Sequence, residues 1–229
     1  MKNKFYHYGD SFATCDESET IFSKYIADEL GLEFVSRASS GKSNLSILSN
    51  ILKDLPTLNS GDKILIGFTF FTRGEYVDKD NKLVSTNIYY NDMDGTKIDN
   101  LEHQKSIGID IMDIKRRNNT LEYWVDYSWD AYVKTFKYLI NPTIVYLKDK
   151  GVDVKYFYIK KDFLTLDGQS KDFVNFLPSG EIEFEDTDDL ISYLLYKDWL
   201  KEESVHYAWG IQELLSKVFI NNWIISTLK

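Results

Sequence analysis

Ser11 is the residue whose type and position most directly suggest covalent chemistry. It follows Gly9 and Asp10, at the point where an aromatic-rich run from Phe5 to Tyr8 ends and shortly before a helical pattern begins. Such a run predicts a short strand that ends in a turn. At this place, backbone N–H groups near a helix N-terminus can stabilise a developing oxyanion. Ser11 is therefore a candidate nucleophile, although the Gly-Asp-Ser tripeptide taken alone favours a turn or a helix cap.

A serine nucleophile requires a general base, and the sequence contains three histidines: His7, His103 and His206. The first lies inside the predicted first strand, and the second lies in a long polar segment. His206 precedes the last helical pattern, and folding of the chain can bring this position close to the first strand. Taken alone, His206 is explained as well by a surface position near a helix start, so the hypothesis rests on the pair that it forms with Ser11.

A carboxylate that orients the imidazole would complete such a site. Glu203 precedes His206 by three residues and is the first candidate. Glu202 and Asp198 remain alternatives, because the ends of the neighbouring helices are not fixed by the sequence pattern.

The elements that position these residues alternate between strand and helix. Apolar residues at helical spacing predict a helix over Ser18–Leu30, and Gly31 follows at the place of a helix C-terminus. A second strand, Glu33–Ser36, leads through a small polar loop to a second helix over Leu45–Leu55. Lys63–Phe71 is almost continuously apolar, as expected of a central parallel strand that is covered on both faces.

The alternation breaks over Tyr76–Asp126, which is polar and carries a hairpin signal at Asp94 and Gly95. We interpret residues 76–126 as a partly β insertion after the third strand. The alternation then resumes with four further predicted elements: a helix at Trp129–Lys150, a strand at Val152–Ile159, and helices at Asp188–Leu200 and Tyr207–Leu228. This order predicts an α/β fold, a three-layer α/β/α sandwich with a mostly parallel sheet, in a single domain over residues 1–229. Ligands of such sheets bind beyond the carboxyl ends of the strands.

Composition narrows the class of protein. The 229 residues are 43% hydrophobic, which is enough for one globular core, and 27 basic against 36 acidic residues give a net charge of -9. This acidic balance argues against nucleic-acid and membrane-surface partners. The single cysteine, Cys15, excludes an intramolecular disulfide. The sequence has no apolar run typical of a signal peptide or a membrane span, so we expect a cytoplasmic protein.

Three competing motifs are incomplete. Ser40-Gly41-Lys42-Ser43 matches the end of a phosphate-binding loop, but Ser36 stands where that pattern requires glycine. The segment around Asp94 and Gly95 lacks the carboxylates that begin and end a calcium loop. No His or Cys spacing suits zinc. We therefore expect no metal site and no cofactor.

Three sequence blocks resemble the SGNH/GDSL hydrolases. They are Gly-Asp-Ser-Phe at 9–12, Ala-Ser-Ser-Gly-Lys-Ser-Asn at 38–44, and Glu-Ser-Val-His at 203–206. The match runs in order through most of the chain. The resemblance implies a flavodoxin-like α/β/α fold, in agreement with the predicted order of elements.

The resemblance also implies roles for individual residues. Ser11 corresponds to the nucleophile and to an oxyanion donor, Gly41 to a second backbone oxyanion donor, His206 to the general base, and Glu203 to the orienting acid. The residues beside these positions give the candidate substrate contacts: Asp10, Asn44 and Glu75.

Between the second and the last of these blocks the family has a further one, the third block, which reads Gly-x-Asn-Asp, and this sequence departs from it. Residues 67–75 read GFTFFTRGE, so the side-chain amide that would bind the oxyanion is absent. Loss of one such donor typically costs about 10²–10³ in rate. Arg73 is a candidate charged replacement, or it pairs with Glu75. The last block also has glutamate where the family has aspartate, and Tyr207 where the family usually has proline.

The segment from Ser11 to Arg73 also resembles a looser group of SGNH-like proteins of bacteriophages and bacteria, in which a Thr-x-x-x-Arg-x-Glu block recurs. The sequence therefore leads to two hypotheses. The first is a serine esterase or deacylase that removes an acyl group, such as acetyl, from a small-molecule or glycan ester through an acyl-enzyme on Ser11. The alternative is a non-catalytic SGNH-like binding or phage virion module, and the protein would then be virion-associated.

Overall fold

Four parallel strands form the centre of the fold. The computed structural model describes residues 2–10, 21–39, 42–69, 73–77, 80, 83–87, 129–159, 181–182, 184, 186–187, 190–199 and 212–227. In chain order, the elements are β1 (Lys4–Tyr8), α1 (Phe22–Glu29), β2 (Glu33–Ser36), α2 (Asn44–Asp54), β3 (Lys63–Phe68), β4 (Arg73–Val77), β5 (Leu83–Asn87), α3 (Trp129–Asp149), β6 (Asp153–Tyr158), α4 (Leu190–Tyr196) and α5 (Gln212–Thr227).

The strand order of the parallel sheet is β2-β1-β3-β6. In the centre, His7 of β1 lies opposite Ser36 of β2 and Leu65 of β3. On the outer side of β6, the amide of Ile182 donates to the carbonyl of Tyr156 at 2.8 Å, and a parallel bridge joins Tyr156 to Glu181. The order of the described strands is that of the flavodoxin-like sheet, so the predicted α/β fold is confirmed.

Alternate residues of the strands enter two separate cores. On one face, Phe5, Leu65 and Phe157 pack with the buried residues Phe22 of α1 and Phe219 of α5. The other core lies between the sheet and helices α2 and α3. It contains the alternate residues of the same strands: Tyr6, Tyr8, Ile64 and Ile66. Each fully buried side chain of this size stabilises the fold by about 1.5–3 kcal/mol. The sheet is thus covered on both faces, which confirms the predicted three layers.

Local signals at the helix ends match the structure. Gly31 has a φ of +66°, the amide of Gly31 donates to the carbonyl of Asp28, and the amide of Leu32 donates to the carbonyl of Ala27. These two bonds are those of a Schellman motif, which requires the left-handed conformation that glycine adopts without strain. At the start of α2, the Ser43 side chain accepts from the amide of Ser46 at 3.2 Å. The end of α1 and the start of α2 therefore lie where the sequence indicates, whereas α1 begins at Phe22, later than the predicted Ser18, because Ile21 has an extended backbone.

The inserted segment contains a different hairpin from the one that the sequence suggested. β4 and β5 pair antiparallel, with Arg73 opposite Asn87 and Val77 opposite Leu83. This hairpin begins upstream of the predicted limit at Tyr76. The turn signal at Asp94 and Gly95 lies outside the described residues.

α4 ends earlier than predicted, at Tyr196 and not at Leu200. α5 covers Gln212–Thr227, and the other residues of the predicted last helix, 207–211 and 228, lie outside the described residues. α3 agrees with the predicted helix and continues through Pro142. Within the described ranges, none of the helices has the length and apolar character needed to cross a bilayer.

Candidate active site at the carboxyl edge of the sheet

The sequence-predicted site residues fall into three groups. Asp10, Asn44 and the alternative acid Asp198 are described in full. Arg73 and Glu75 lie on β4, for which the structure describes the backbone. The remaining candidates lie outside the described residues: Ser11, Gly41, Glu202, Glu203 and His206. The described residues that flank these candidates therefore define where the site lies.

Backbone pairing brings the first and second blocks together. β2 runs parallel to β1, and the pairing continues beyond Ser36, because the amide of Arg37 donates to the carbonyl of His7 at 2.8 Å. The amide of Ser39 then donates to the carbonyl of Gly9 at 3.1 Å. The two chain segments that lead to Ser11 and Gly41 thus leave the sheet side by side.

Asn44 joins the second block to the end of β3. It is the first residue of α2, and its side chain is fully buried. Its Nδ2 donates to the carbonyl of Thr69 at 3.1 Å, and its Oδ1 accepts from the amide of the same residue at 2.9 Å. The start of α2 is thereby attached to the first residue after β3.

Thr69 also contacts the first block. Its hydroxyl donates to Oδ2 of Asp10 at 2.5 Å, and both side chains are fully buried. This distance is that of a charge-assisted O–H···O⁻ hydrogen bond. Thr69 stands two residues after Gly67, where the family pattern has asparagine, and its hydroxyl is directed to Asp10. We refer to Asp10, Asn44 and Thr69 as the buried triad.

A second polar cluster supports the end of β2. Arg37 binds the carboxylate of Asp54 with two nitrogens, at 2.7 and 3.1 Å, and the Tyr8 hydroxyl donates to the same carboxylate at 2.9 Å. Burial, followed by the Asp54 charge, raises the pKa of Tyr8, so the phenol stays protonated and continues to donate. These contacts fix the chain where it enters the second block.

The end of the chain returns to the start of α1. The N–H of Phe22 has no partner within its helix, and Ile21 supplies no side-chain cap. Oε1 of Gln212, the first residue of α5, accepts from that N–H at 2.8 Å in a buried position. The chain that contains His206 leads into Gln212, and the chain that contains Ser11 leads into Phe22. The hydrogen bond between Gln212 and Phe22 therefore holds one end of each of these two segments beside the other.

His7 lies within the core and not at the edge of the sheet. It is fully buried, and its ring centroid lies 5.3 Å from that of Phe22 and 6.5 Å from that of Phe157. Burial lowers the pKa of His7 to about 3. A base with so low a pKa is poorly suited to remove a proton from serine near neutral pH.

Asp198, an alternative orienting acid, has a left-handed backbone conformation just after α4. Its φ is +56°, and the following amide, that of Trp199, donates to the carbonyl of Leu194 at 2.8 Å. Asp198 is exposed at the end of α4. It therefore occupies the left-handed position of a helix C-terminus, where asparagine or glycine is more usual.

The contacts of Thr69 and Gln212 were not found from the sequence. The available signal for Thr69 was a hydroxyl residue inside the apolar run Lys63–Phe71. Gln212 carries no local signal, because its partner is distant in the chain. Among the described residues, no group of three or more His, Cys, Asp or Glu side chains is arranged to hold a metal ion.

Comparison with solved structures identifies the fold. Esterase EstA from Pseudoalteromonas sp., in a structure inhibited by monoethylphosphonate, superposes with a TM-score of 0.50 at 10% identity, over 99% of this chain and 100% of that one. A protein described as lipolytic and of the G-D-S-L family, from Desulfitobacterium hafniense, gives a TM-score of 0.50 at 11% identity, over 96% and 99% of the two chains. The chain has the SGNH/GDSL hydrolase fold.

A similar fold also occurs within a longer protein. Protein YXIM from Bacillus subtilis superposes with a TM-score of 0.55 at 11% identity, and the match covers 99% of this chain but 57% of that one. No protein-family model matches the sequence, and neither does any curated protein. The similarity to known proteins is therefore one of fold.

Proposed function

We propose that this SGNH-like chain is a serine esterase or deacylase. In this proposal Ser11 is the nucleophile, His206 is the general base, and Glu203 orients the imidazole. The backbone N–H groups of Ser11 and Gly41 bind the oxyanion, and Arg73 is the candidate additional donor.

The observation that carries this proposal is that residues of the first block, of the second block and of the end of β3 meet in the buried triad. Asp10 directly precedes Ser11, and Asn44 follows shortly after Gly41. Both side chains bind Thr69, the first residue after β3. A crevice beyond the carboxyl ends of parallel strands is where α/β sheets bind their ligands. The arrangement therefore supports a shared site for the first and second blocks.

The contact between Gln212 and Phe22 supports the assignment of the base. It fixes the end of the segment that contains His206 next to the start of α1. The chain from His206 to Gln212 is short enough for the imidazole to lie near the same edge of the sheet. Since burial removes His7 from consideration, His206 is the stronger candidate.

The proposed reaction proceeds by acyl transfer in two steps. Oγ of Ser11 attacks the ester carbonyl, while His206 takes the hydroxyl proton and returns it to the leaving alcohol. Water then attacks the acyl-enzyme with His206 again acting as base, which releases the acid and restores Ser11. We propose a small-molecule or glycan ester as the substrate, with acetyl as the acyl group. The reaction needs no metal ion or cofactor.

Hydrolysis of a small aryl acetate tests this proposal. The wild-type protein and Ser11→Ala are compared, with Ser60→Ala as the matched control, because Ser60 is exposed and precedes β3 at the opposite edge of the sheet. Loss of the nucleophile should reduce kcat by about 10⁴-fold or more, whereas the control keeps wild-type activity. Equal rates in folded wild type and Ser11→Ala would refute the proposal.

A second candidate is a non-catalytic SGNH-like binding module, such as a component of a phage virion. The side chain at the third-block position favours this candidate. Thr69 stands where the family has an asparagine that donates to the oxyanion, and its hydroxyl donates to Asp10 instead. The two candidates differ in one result. A binding module would lack Ser11-dependent turnover with every ester tested, while it kept the same fold.

A further inference from the structure

The buried triad connects three separate parts of the chain at one residue. Thr69 lies 59 residues from Asp10 and 25 residues from Asn44 in the sequence. All three side chains are completely removed from solvent. Buried polar groups of this kind lose much more when a hydrogen bond is removed than exposed groups do. The triad therefore restrains the relative positions of the parts that it joins.

Asn44 fixes the backbone of Thr69 in both directions. Its amide oxygen accepts from the Thr69 N–H, and its amide nitrogen donates to the Thr69 carbonyl, at 2.9 and 3.1 Å. This two-point contact defines the orientation of the peptide groups on both sides of Thr69. Because Asn44 begins α2, directly after the cap residue Ser43, the contact also fixes the point at which the chain after Gly41 enters α2.

The Thr69 side chain fixes Asp10. The hydrogen bond of 2.5 Å from its hydroxyl holds the Asp10 carboxylate on the α2 side of the sheet. The peptide group that follows Asp10 carries the N–H of Ser11. A rotation of Asp10 would therefore displace both this N–H and the Ser11 side chain.

We infer that Thr69 is a positioning residue, which acts through Asp10 and Asn44 to hold the two backbone oxyanion donors of the proposed esterase in register. This inference rests on the proposed function. Thr69 stands where the family has the third-block asparagine, whose amide would donate to the oxyanion. The Thr69 hydroxyl donates to Asp10 instead, and so it holds the backbone in place. Displacement of reacting groups by about 1 Å can reduce a rate about 10²-fold, and loss of one oxyanion donor has a similar effect.

This role differs from the one that the sequence predicted for Asp10 and Asn44. Residues that contact substrate mainly change KM when they are replaced, provided that they bind ground state and transition state equally. Residues that position oxyanion donors change kcat, because those donors act in the transition state. The division of an effect between KM and kcat therefore separates the two roles.

The test compares Thr69→Val with Thr69→Ser. Valine keeps the shape of the side chain but removes the hydroxyl, whereas serine keeps the hydroxyl. With an aryl acetate as substrate, we expect Thr69→Val to lower kcat by about 10- to 100-fold with KM within about threefold of wild type. Thr69→Ser should recover most of kcat. Urea unfolding of each variant shows whether it is folded under the conditions of the assay.

Three results would overturn the inference, and each has a distinct meaning. A folded Thr69→Val with wild-type kcat and reduced stability would leave the esterase proposal intact and reduce Thr69 to a structural residue. A rise in KM alone would favour the substrate-contact role. A wild-type protein without Ser11-dependent turnover would overturn the proposed function and the inference with it.

Asp10→Asn provides a second variant if Thr69→Val does not fold. The asparagine Oδ1 still accepts from the Thr69 hydroxyl, but the charge that strengthens this bond is removed. We expect a folded protein with kcat lowered by about 3- to 30-fold and KM almost unchanged, since a neutral hydrogen bond is roughly half as strong. An unchanged kcat in this variant would also overturn the inference.

Discussion

Replacement of His7 by leucine should make the stability of the protein less sensitive to acid. His7 is fully buried in β1, between the rings of Phe22 and Phe157. Neither ring nitrogen has a hydrogen-bond partner in the described part of the chain. Burial alone lowers the pKa of this histidine from 6.5 to about 3. The folded state therefore accepts only the neutral ring over most of the acidic range.

The direction of the effect follows from proton binding. Above pH 6.5, His7 is neutral in both the folded and the unfolded chain and adds no pH dependence. As the pH falls from 6.5 towards 3, the unfolded chain binds a proton that the folded chain does not. Each pH unit then lowers the free energy of unfolding by about 1.4 kcal/mol. The loss is about 2 kcal/mol at pH 5 and reaches about 4–5 kcal/mol near pH 3.

Urea unfolding at pH 7.5 and pH 5 measures this difference. In His7→Leu, the decrease between the two pH values should be smaller than in wild type by about 2 kcal/mol. Leu65→Ala is the matched control, because Leu65 lies opposite His7 on β3 and does not titrate. It should lower stability equally at both pH values. A His7→Leu protein with the wild-type pH dependence would refute the account of His7.

Two other buried contacts give further predictions. A Cβ on Gly67 would lie 2.7 Å from the ring of Phe157, so Gly67→Ala should lower the free energy of unfolding by about 1–3 kcal/mol; an unchanged midpoint of thermal unfolding would contradict this close packing. Gln212→Leu should cost about 1–3 kcal/mol in urea unfolding, because the buried N–H of Phe22 loses its acceptor. In the control Glu213→Gln, on the exposed side of the same helix, stability should stay within about 0.5 kcal/mol of wild type. Equal losses of free energy of unfolding in the two variants would show that the hydrogen bond between Phe22 and Gln212 does not stabilise the fold.

The first half of the sheet could be predicted from the sequence because its signals are local. The apolar run before Gly9 and the run after Asp62 identify two neighbouring strands, and Gly31 marks the end of α1. The hairpin of β4 and β5 was not recognised as such, since five-residue strands with mixed polar and apolar residues give a weak pattern. The stronger turn signal, at Asp94 and Gly95, directed the prediction to a later part of the insertion.

The candidate site was predicted only in part, for a different physical reason. Short blocks around Ser11 and Gly41 could be read because their residue types and order are characteristic. Thr69 could not be assigned a role in this way, because that role consists of contacts with Asp10 and Asn44, which are distant in the sequence. Such contacts exist only once parallel strands have brought the loops to one edge.

Covalent labelling tests the central claim most directly. A 4-nitrophenyl ester of ethylphosphonic acid is incubated with wild type, Ser11→Ala and Ser60→Ala, and intact masses and peptide masses are measured. The account predicts one ethylphosphonyl adduct on Ser11 in wild type and in Ser60→Ala, release of 4-nitrophenol, and no adduct in Ser11→Ala. The same adduct on a different residue, or no adduct on a folded wild-type protein that hydrolyses aryl acetates, would contradict a nucleophilic role for Ser11.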